Sequence, residues 1–242
     1  MTGAPGDSPA SGFPGTPGSS RVSGTSGSVG SSGAQIIVIA KEPVPGRVKT
    51  RLTPPFTFEE GALLAEAALA DTLAAVAAVP AVRRVLALAG SPGPWLPPGF
   101  DVIPQRGAGL AERLAWAFAD CYAGLAAPMV LIGMDTPQVT PSLLASAAAL
   151  LVAGDCDATF GPATDGGFWL LGLRVPDASL LTGVPMSRDD TGRCQLERLT
   201  AAGLRVRTLP ALTDIDTFRE AEMVAAATRG SRFAAAFAVA SG

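Results

Sequence analysis

Apolar runs of strand length alternate along this chain with Ala- and Leu-rich segments of helical length, and few folds accommodate that alternation. Gln35-Ile-Ile-Val-Ile-Ala40 reads as a buried first strand. Thr57 with Glu60 three residues later is a capping-box signature, opening a helix over residues 57–78 that Pro80 ends. Further strands are predicted at 82–89, 101–104, 129–133, 157–161, 167–173 and 204–209. Helices are predicted at 110–125, at 140–152 with Thr140 as N-cap and Pro141 in the first turn, at 190–202, and at 217–227 behind the Thr217/Glu220 pair. Strands joined through helices imply βαβ units, a mostly parallel sheet and a three-layer α/β/α sandwich. The small-residue C-terminal end is assigned no element.

Residues 1–33 are about two-thirds Gly, Ser and Pro and almost uncharged. Such a segment buries too little apolar surface to offset its ordering entropy, so a disordered tail is expected, followed by one domain over 34–242. The tail has neither a basic start nor an apolar core of about 7–15 residues, unlike a secretory signal. No uncharged apolar run approaches the roughly 18 residues of a membrane span. Cys121, Cys156 and Cys194 are odd in number and widely spaced, which fits a reducing cytoplasmic setting and neither a disulfide framework nor a zinc site. A net charge of −3 offers no general attraction to nucleic acid or anionic lipid. Nothing in the sequence specifies an oligomeric state.

The chain has no histidine, which removes Ser-His-Asp and Cys-His nucleophile systems and histidine general bases. Carboxylates, cations, backbone amides and a hard metal ion are left to do any chemistry. Lys41, Arg47, Lys49 and Arg51 crowd into a stretch directly after the first strand, Lys41-Glu-Pro-Val-Pro-Gly-Arg-Val-Lys-Thr-Arg-Leu52. Pro43, Pro45 and Gly46 forbid a helix there, so a fixed-shape loop is expected at the carboxyl end of the strand, where open α/β sheets bind ligands. The loop is not a P-loop, because Val48 stands where Walker A requires glycine before Lys49-Thr50. A cationic loop of this kind suits a polyanion such as a nucleotide diphosphate.

Four acidic or glycine-rich segments complete the set. Asp135, in Gly133-Met-Asp-Thr-Pro137, ends an apolar strand on the same rim and suits Mg²⁺ or Mn²⁺, with a turn or cap as the alternative role. Asp214-Ile-Asp216 follows the last strand, and alternation in an extended segment turns one of the two aspartates toward the site. Asp165, with Gly166 and Gly167 behind it, is a candidate general base or acceptor contact, the glycines allowing close backbone approach to a ligand. Gln105 and Gly107, in Gln105-Arg-Gly-Ala-Gly109, are candidates to approach a base or sugar.

These segments, in this order from Ala34 to about Ala227, resemble a bacterial family of uncharacterised proteins of the glycosyltransferase-A fold, classed with nucleotide-diphospho-sugar transferases. Lys49-Thr-Arg-Leu52 is also similar to an element of the phospholactate guanylyltransferases, which share the fold. The resemblance implies that Lys41, Arg47, Lys49 and Arg51, with Pro45 and Gly46 shaping their loop, hold the nucleotide phosphates. It further implies that Asp135 and Asp216 hold Mg²⁺ or Mn²⁺, and that Asp165, Gly166 and Gly167 line the acceptor side. The implied activity is metal-dependent glycosyl transfer from a nucleotide-sugar to a small-molecule acceptor. Nucleotidyl transfer releasing pyrophosphate is the first alternative, and nucleotide binding without turnover the second. Where the family carries Trp-Ser-Thr, this chain has Met186-Ser187-Arg188.

Overall fold

The computed structural model describes residues 33–242, so the expected tail, apart from Gly33, lies outside the described residues. Seven strands form one sheet: β1 Gln35–Lys41, β2 Arg83–Ala89, β3 Asp101–Pro104, β4 Met129–Ile132, β5 Ala158–Pro162, β6 Phe168–Leu173 and β7 Val206–Thr208. Their order is β3-β2-β1-β4-β6-β5-β7. Every strand but β6 runs in one direction; β6 pairs antiparallel with both β4 and β5. The cause is the short β5–β6 connection, residues 163–167, because a parallel partner needs a crossover of about a dozen residues.

The helices are α1 Phe58–Ala77, α2 Leu110–Gly124, α3 Pro141–Ala153, α4 Thr191–Ala201, α5 Phe218–Ala227 and α6 Arg232–Ala240. The α1 capping box forms as the sequence implies: Glu60 N–H donates to Thr57 Oγ1 at 3.1 Å and Thr57 N–H to Glu60 Oε2 at 2.7 Å. On one face of the sheet, Leu69 and Leu73 of α1 and Leu144 and Leu151 of α3 pack on Ile36, Val38, Val130 and Ile132. On the other, Leu114 and Phe118 of α2 and Leu199 of α4 cover Ile37, Val85, Met129 and Leu131. Because β1 is buried on both faces, its sequence is continuously apolar rather than alternating. Among the described residues no helix is long and apolar enough to cross a membrane.

The sequence reading missed α6. Its Ala-rich composition hides the face it buries, and the helix is settled by docking: Phe233, fully buried, joins Leu64 and Ala68 of α1 and Val224 of α5 in a third apolar cluster. Ser231 caps it, and Asp71 of α1 accepts the N–H groups of Arg232 (3.2 Å) and Phe233 (2.8 Å), answering the helix's free donors with a negative charge. Two short 3₁₀ turns, Thr50–Leu52 and Ala178–Leu180, also went unread, and β7 is shorter than the 204–209 expected.

Candidate active site

The loop after β1 takes its shape from local chemistry. Val44-Pro45-Gly46-Arg47 is a tight turn, closed by Arg47 N–H donating to the Val44 carbonyl at 3.0 Å. Pro45 supplies its fixed φ at the second position, and Gly46 adopts φ 73° at the third, the arrangement a type II turn requires. Both residues shape the loop, and neither lines the cleft beside it. Val48 and Leu52 then bury their side chains and pin the loop to the core. Between them Lys49 is held in the left-handed region at φ 49°, an uncommon conformation for a residue with a Cβ.

This loop walls a cleft of about 560 Å³ at the carboxyl ends of β1 and β4. Lys41, Arg47 and Arg51 lie exposed along its lip. Asp135 follows β4. Asp214 and Asp216 arrive from beyond β7, because residues 212–216 run alongside the sheet: Leu212 N–H donates to Pro162, Ile215 N–H to Asp135, and the Gln138 side chain to the Thr213 carbonyl. The segment is not a regular strand, so the expectation that only one of the two aspartates faces the site is corrected. Both line the cleft.

Lys49 does not project freely toward a phosphate. Its ammonium lies 2.6 Å from Asp135 Oδ1 and 3.1 Å from Asp216 Oδ1, with 6 % of the side chain exposed. Arg51 reaches the other oxygen of Asp216 at 3.2 Å from a 74 % exposed side chain. Burial works against the charge on Lys49, but Asp135 and Asp216 outweigh it and hold its pKa above the usual lysine value. Asp214 is the counterpart: burial, then the negative charges of Asp135 and Asp165, push its pKa up to about 7, with Lys49 opposing. Its Oδ1 is buried without a hydrogen-bond partner among the described residues.

The carboxylates of Asp135 and Asp216, brought together on one ammonium, are hard-oxygen donors of the kind Mg²⁺ or Mn²⁺ takes. No group of three or more carboxylates or thiols among the described residues completes a metal cage alone, which suits an ion whose remaining ligands are phosphate and water. The residues present therefore fit the implied metal.

The acceptor-side residues behave differently from expectation. Asp165 is exposed and absent from the cleft lining; its Oδ1 accepts the Gly167 N–H at 2.8 Å in a local turn. Gly166, at φ 89°, approaches the chain's own backbone rather than a ligand: a Cβ there would lie 1.8 Å from the Asp189 carbonyl oxygen. Gly192 N–H donates to the Gly166 carbonyl at 2.7 Å, so Gly166 and Gly167 dock the start of α4 against the β5–β6 turn. Gln105 does line the cleft; its amide donates to the carbonyls of Ala40 (2.7 Å) and Ala87 (2.9 Å), bracing the ends of β1 and β2. Gly107, at φ 106°, turns the chain into α2 without touching the cleft.

Several lining residues were assigned no role by the sequence reading. Arg113, in the first turn of α2, adds a further cation. Leu110, Leu114, Leu131 and Phe168 make one part of the wall apolar. Ser187, at φ 59°, enters from the loop before α4. A charge in a helix's first turn was a visible signal for Arg113; the apolar residues carried none beyond their core periodicity.

The family model "Uncharacterized protein conserved in bacteria (DUF2064)" matches residues 64–188, just over half of the chain. Among solved structures, a protein from Desulfovibrio desulfuricans G20 provisionally described as a nucleotide-diphospho-sugar transferase is 27 % identical, with TM-score 0.76, over 85 % of this chain and 92 % of that one. A cytidylyltransferase from Leptospira borgpetersenii serovar Hardjo-bovis matches at TM-score 0.50 and 12 % identity, over 85 % of this chain and 92 % of its own. CMP:2-keto-3-deoxy-manno-octonic acid synthetase, solved with CTP, matches at TM-score 0.50 and 13 % identity, over 79 % of this chain and 96 % of that one. These last two share the fold alone. No curated protein matches the chain. The fold is that of the nucleotide-diphospho-sugar transferases.

Proposed function

We propose that this chain, which belongs to the DUF2064 family of bacterial proteins, is a metal-dependent transferase moving a glycosyl group from a nucleotide-diphospho-sugar to a small acceptor. One observation carries the reading: a single cleft is lined both by the exposed cations Lys41, Arg47 and Arg51 and by three aspartates, one with an unpartnered oxygen. That pairing suits a diphosphate held between side-chain cations and a hard metal ion. The description of the Desulfovibrio protein supports the same substrate class.

In this reading Lys41, Arg47, Arg51 and Arg113 bind the diphosphate through charge-assisted bonds. Bound at Asp135 and Asp216, Mg²⁺ or Mn²⁺ would supply compensation for negative charge developing on the departing diphosphate. The loop cations share that task, and they act efficiently because the turn and the buried Val48 and Leu52 fix the loop beforehand. The apolar wall of Leu110, Leu114, Leu131 and Phe168 excludes water from part of the cleft. Asp214, facing the cleft, is better placed than Asp165 to take the acceptor's hydroxyl proton. Residues 34–242 act as one domain.

The number of cations also suits the more highly charged triphosphate of a nucleotidyltransferase, which is the second reading. Product analysis separates the two. Incubation with nucleotide-sugars, Mn²⁺ and candidate acceptors should release free nucleoside diphosphate. Release of pyrophosphate from a nucleoside triphosphate would replace the first reading with the second, and nucleotide binding without either product would refute both.

A further inference from the structure

We infer that Lys49 is a built-in stand-in for the divalent cation, neutralising Asp135 and Asp216 until a diphosphate draws it away, so that metal and nucleotide bind as a pair. The inference rests on the transferase reading of the cleft and adds to it an order of binding.

Four observations carry it. The Lys49 ammonium touches both carboxylates assigned to the metal, at 2.6 and 3.1 Å, and is nearly enclosed. Asp214 lines the same cleft and its Oδ1 has no partner among the described residues, so one enclosed ammonium sits beside three carboxyl groups. The root of Lys49 is fixed between buried Val48 and Leu52, while its flexible stem ends in a compact charge able to swing toward the lip. The chain has two lysines in all, Lys41 and Lys49; its other cationic side chains are arginines, whose planar forks suit fixed bidentate contacts.

A divalent ion and an ammonium cannot share the same carboxylate oxygens without strong mutual repulsion. Metal alone must therefore displace Lys49 from both of its counter-ions, Asp135 and Asp216, with no anion at the lip to receive it. A diphosphate provides that partner, together with oxygen ligands for the metal. Each ligand then strengthens the other by the same factor, as linkage requires. A purely structural Lys49 would stay on its carboxylates throughout.

The test follows the ¹³Cε signals of lysine-labelled protein, two in number, assigned with Lys41→Arg. Mg²⁺ alone should leave the Lys49 signal in place, whereas Mg²⁺ with ADP, CDP, GDP or UDP should move it. By calorimetry, Lys49→Met should bind Mg²⁺ alone at least about 10-fold more tightly than wild type, within the usual range of coupling between sites. Its enhancement by nucleoside diphosphate should shrink correspondingly, and Arg51→Met should change Mg²⁺ affinity far less. Equal Mg²⁺ affinity of wild type and Lys49→Met, or a wild-type Lys49 signal moved by Mg²⁺ alone, overturns the inference. If Lys49→Met does not fold, the wild-type lysine signals decide the matter. Should Lys49→Met bind Mg²⁺ more tightly while no diphosphate binds either protein, the stand-in role is upheld and the transferase reading fails.

Discussion

Asp135→Asn tests the centre of the site, because the structure gives Asp135 two roles that the substitution separates. The amide keeps the side chain's shape and can still accept a hydrogen bond from Lys49, but it removes the charge 2.6 Å from the ammonium. Removing one partner from a fully buried ion pair costs about 3–5 kcal/mol, whereas exposed pairs are worth about 0–1 kcal/mol. This pair lies between those limits: Lys49 is 6 % exposed, Asp135 39 %, and Asp216 remains as a second counter-ion. A loss of about 1.5–3 kcal/mol follows. For a domain of this size that lowers Tm by about 3–12 °C, readable by calorimetry without ligand. The second role shows in nucleotide titrations with and without Mn²⁺, where the variant should lose the Mn²⁺-dependent part of its affinity because a neutral amide is a poorer ligand for a hard cation. An unchanged Tm would refute the ion-pair argument. Retained metal enhancement would show that Asp135 holds no metal.

Gly166→Ala should destabilise the fold by more than about 2 kcal/mol, measured by urea denaturation, since its Cβ meets the Asp189 carbonyl oxygen at 1.8 Å and the residue holds φ 89°; wild-type stability would mean the β5–β6 turn does not need this close approach. Asp71→Ala should cost about 1–2 kcal/mol and speed amide exchange selectively across Arg232–Ala240, because the α6 donors lose their carboxylate; exchange unchanged there would remove Asp71 from the anchoring of α6. Hydrogen bonds from the Arg205 side chain and backbone hold Asp157 at a pKa of about 2. A lowered carboxylate pKa contributes stability above the unfolded value of about 3.9, lost as pH falls through the folded value. The advantage of wild type over Asp157→Asn should therefore be full at pH 6 and disappear between about pH 4 and pH 2; a gap that does not vary with pH would exclude the linkage.

Wherever the signal was local, the sequence was sufficient. Thr57/Glu60 and Thr217/Glu220 cap α1 and α5 because a capping box spans four residues and needs no tertiary partner. The continuous apolar run of β1 follows from burial on both faces, and Pro45-Gly46 shapes its turn through φ preferences that those residues carry anywhere. The absence of histidine and the cationic loop likewise restricted the chemistry before any coordinates. Tertiary structure decided which residues meet. Asp216 reaches Lys49 across 167 positions of sequence, along a path set by backbone hydrogen bonds to Pro162 and Asp135 that no local pattern encodes. Asp165 and Gly166 carried the composition of a ligand loop, yet the close approach that Gly166 makes is to the backbone leading into α4, because a glycine's freedom fits close approach by any partner. The Ala-rich α6 became a defined helix only against α1, since small side chains carry little periodic signal and the face they bury is settled by what they pack upon.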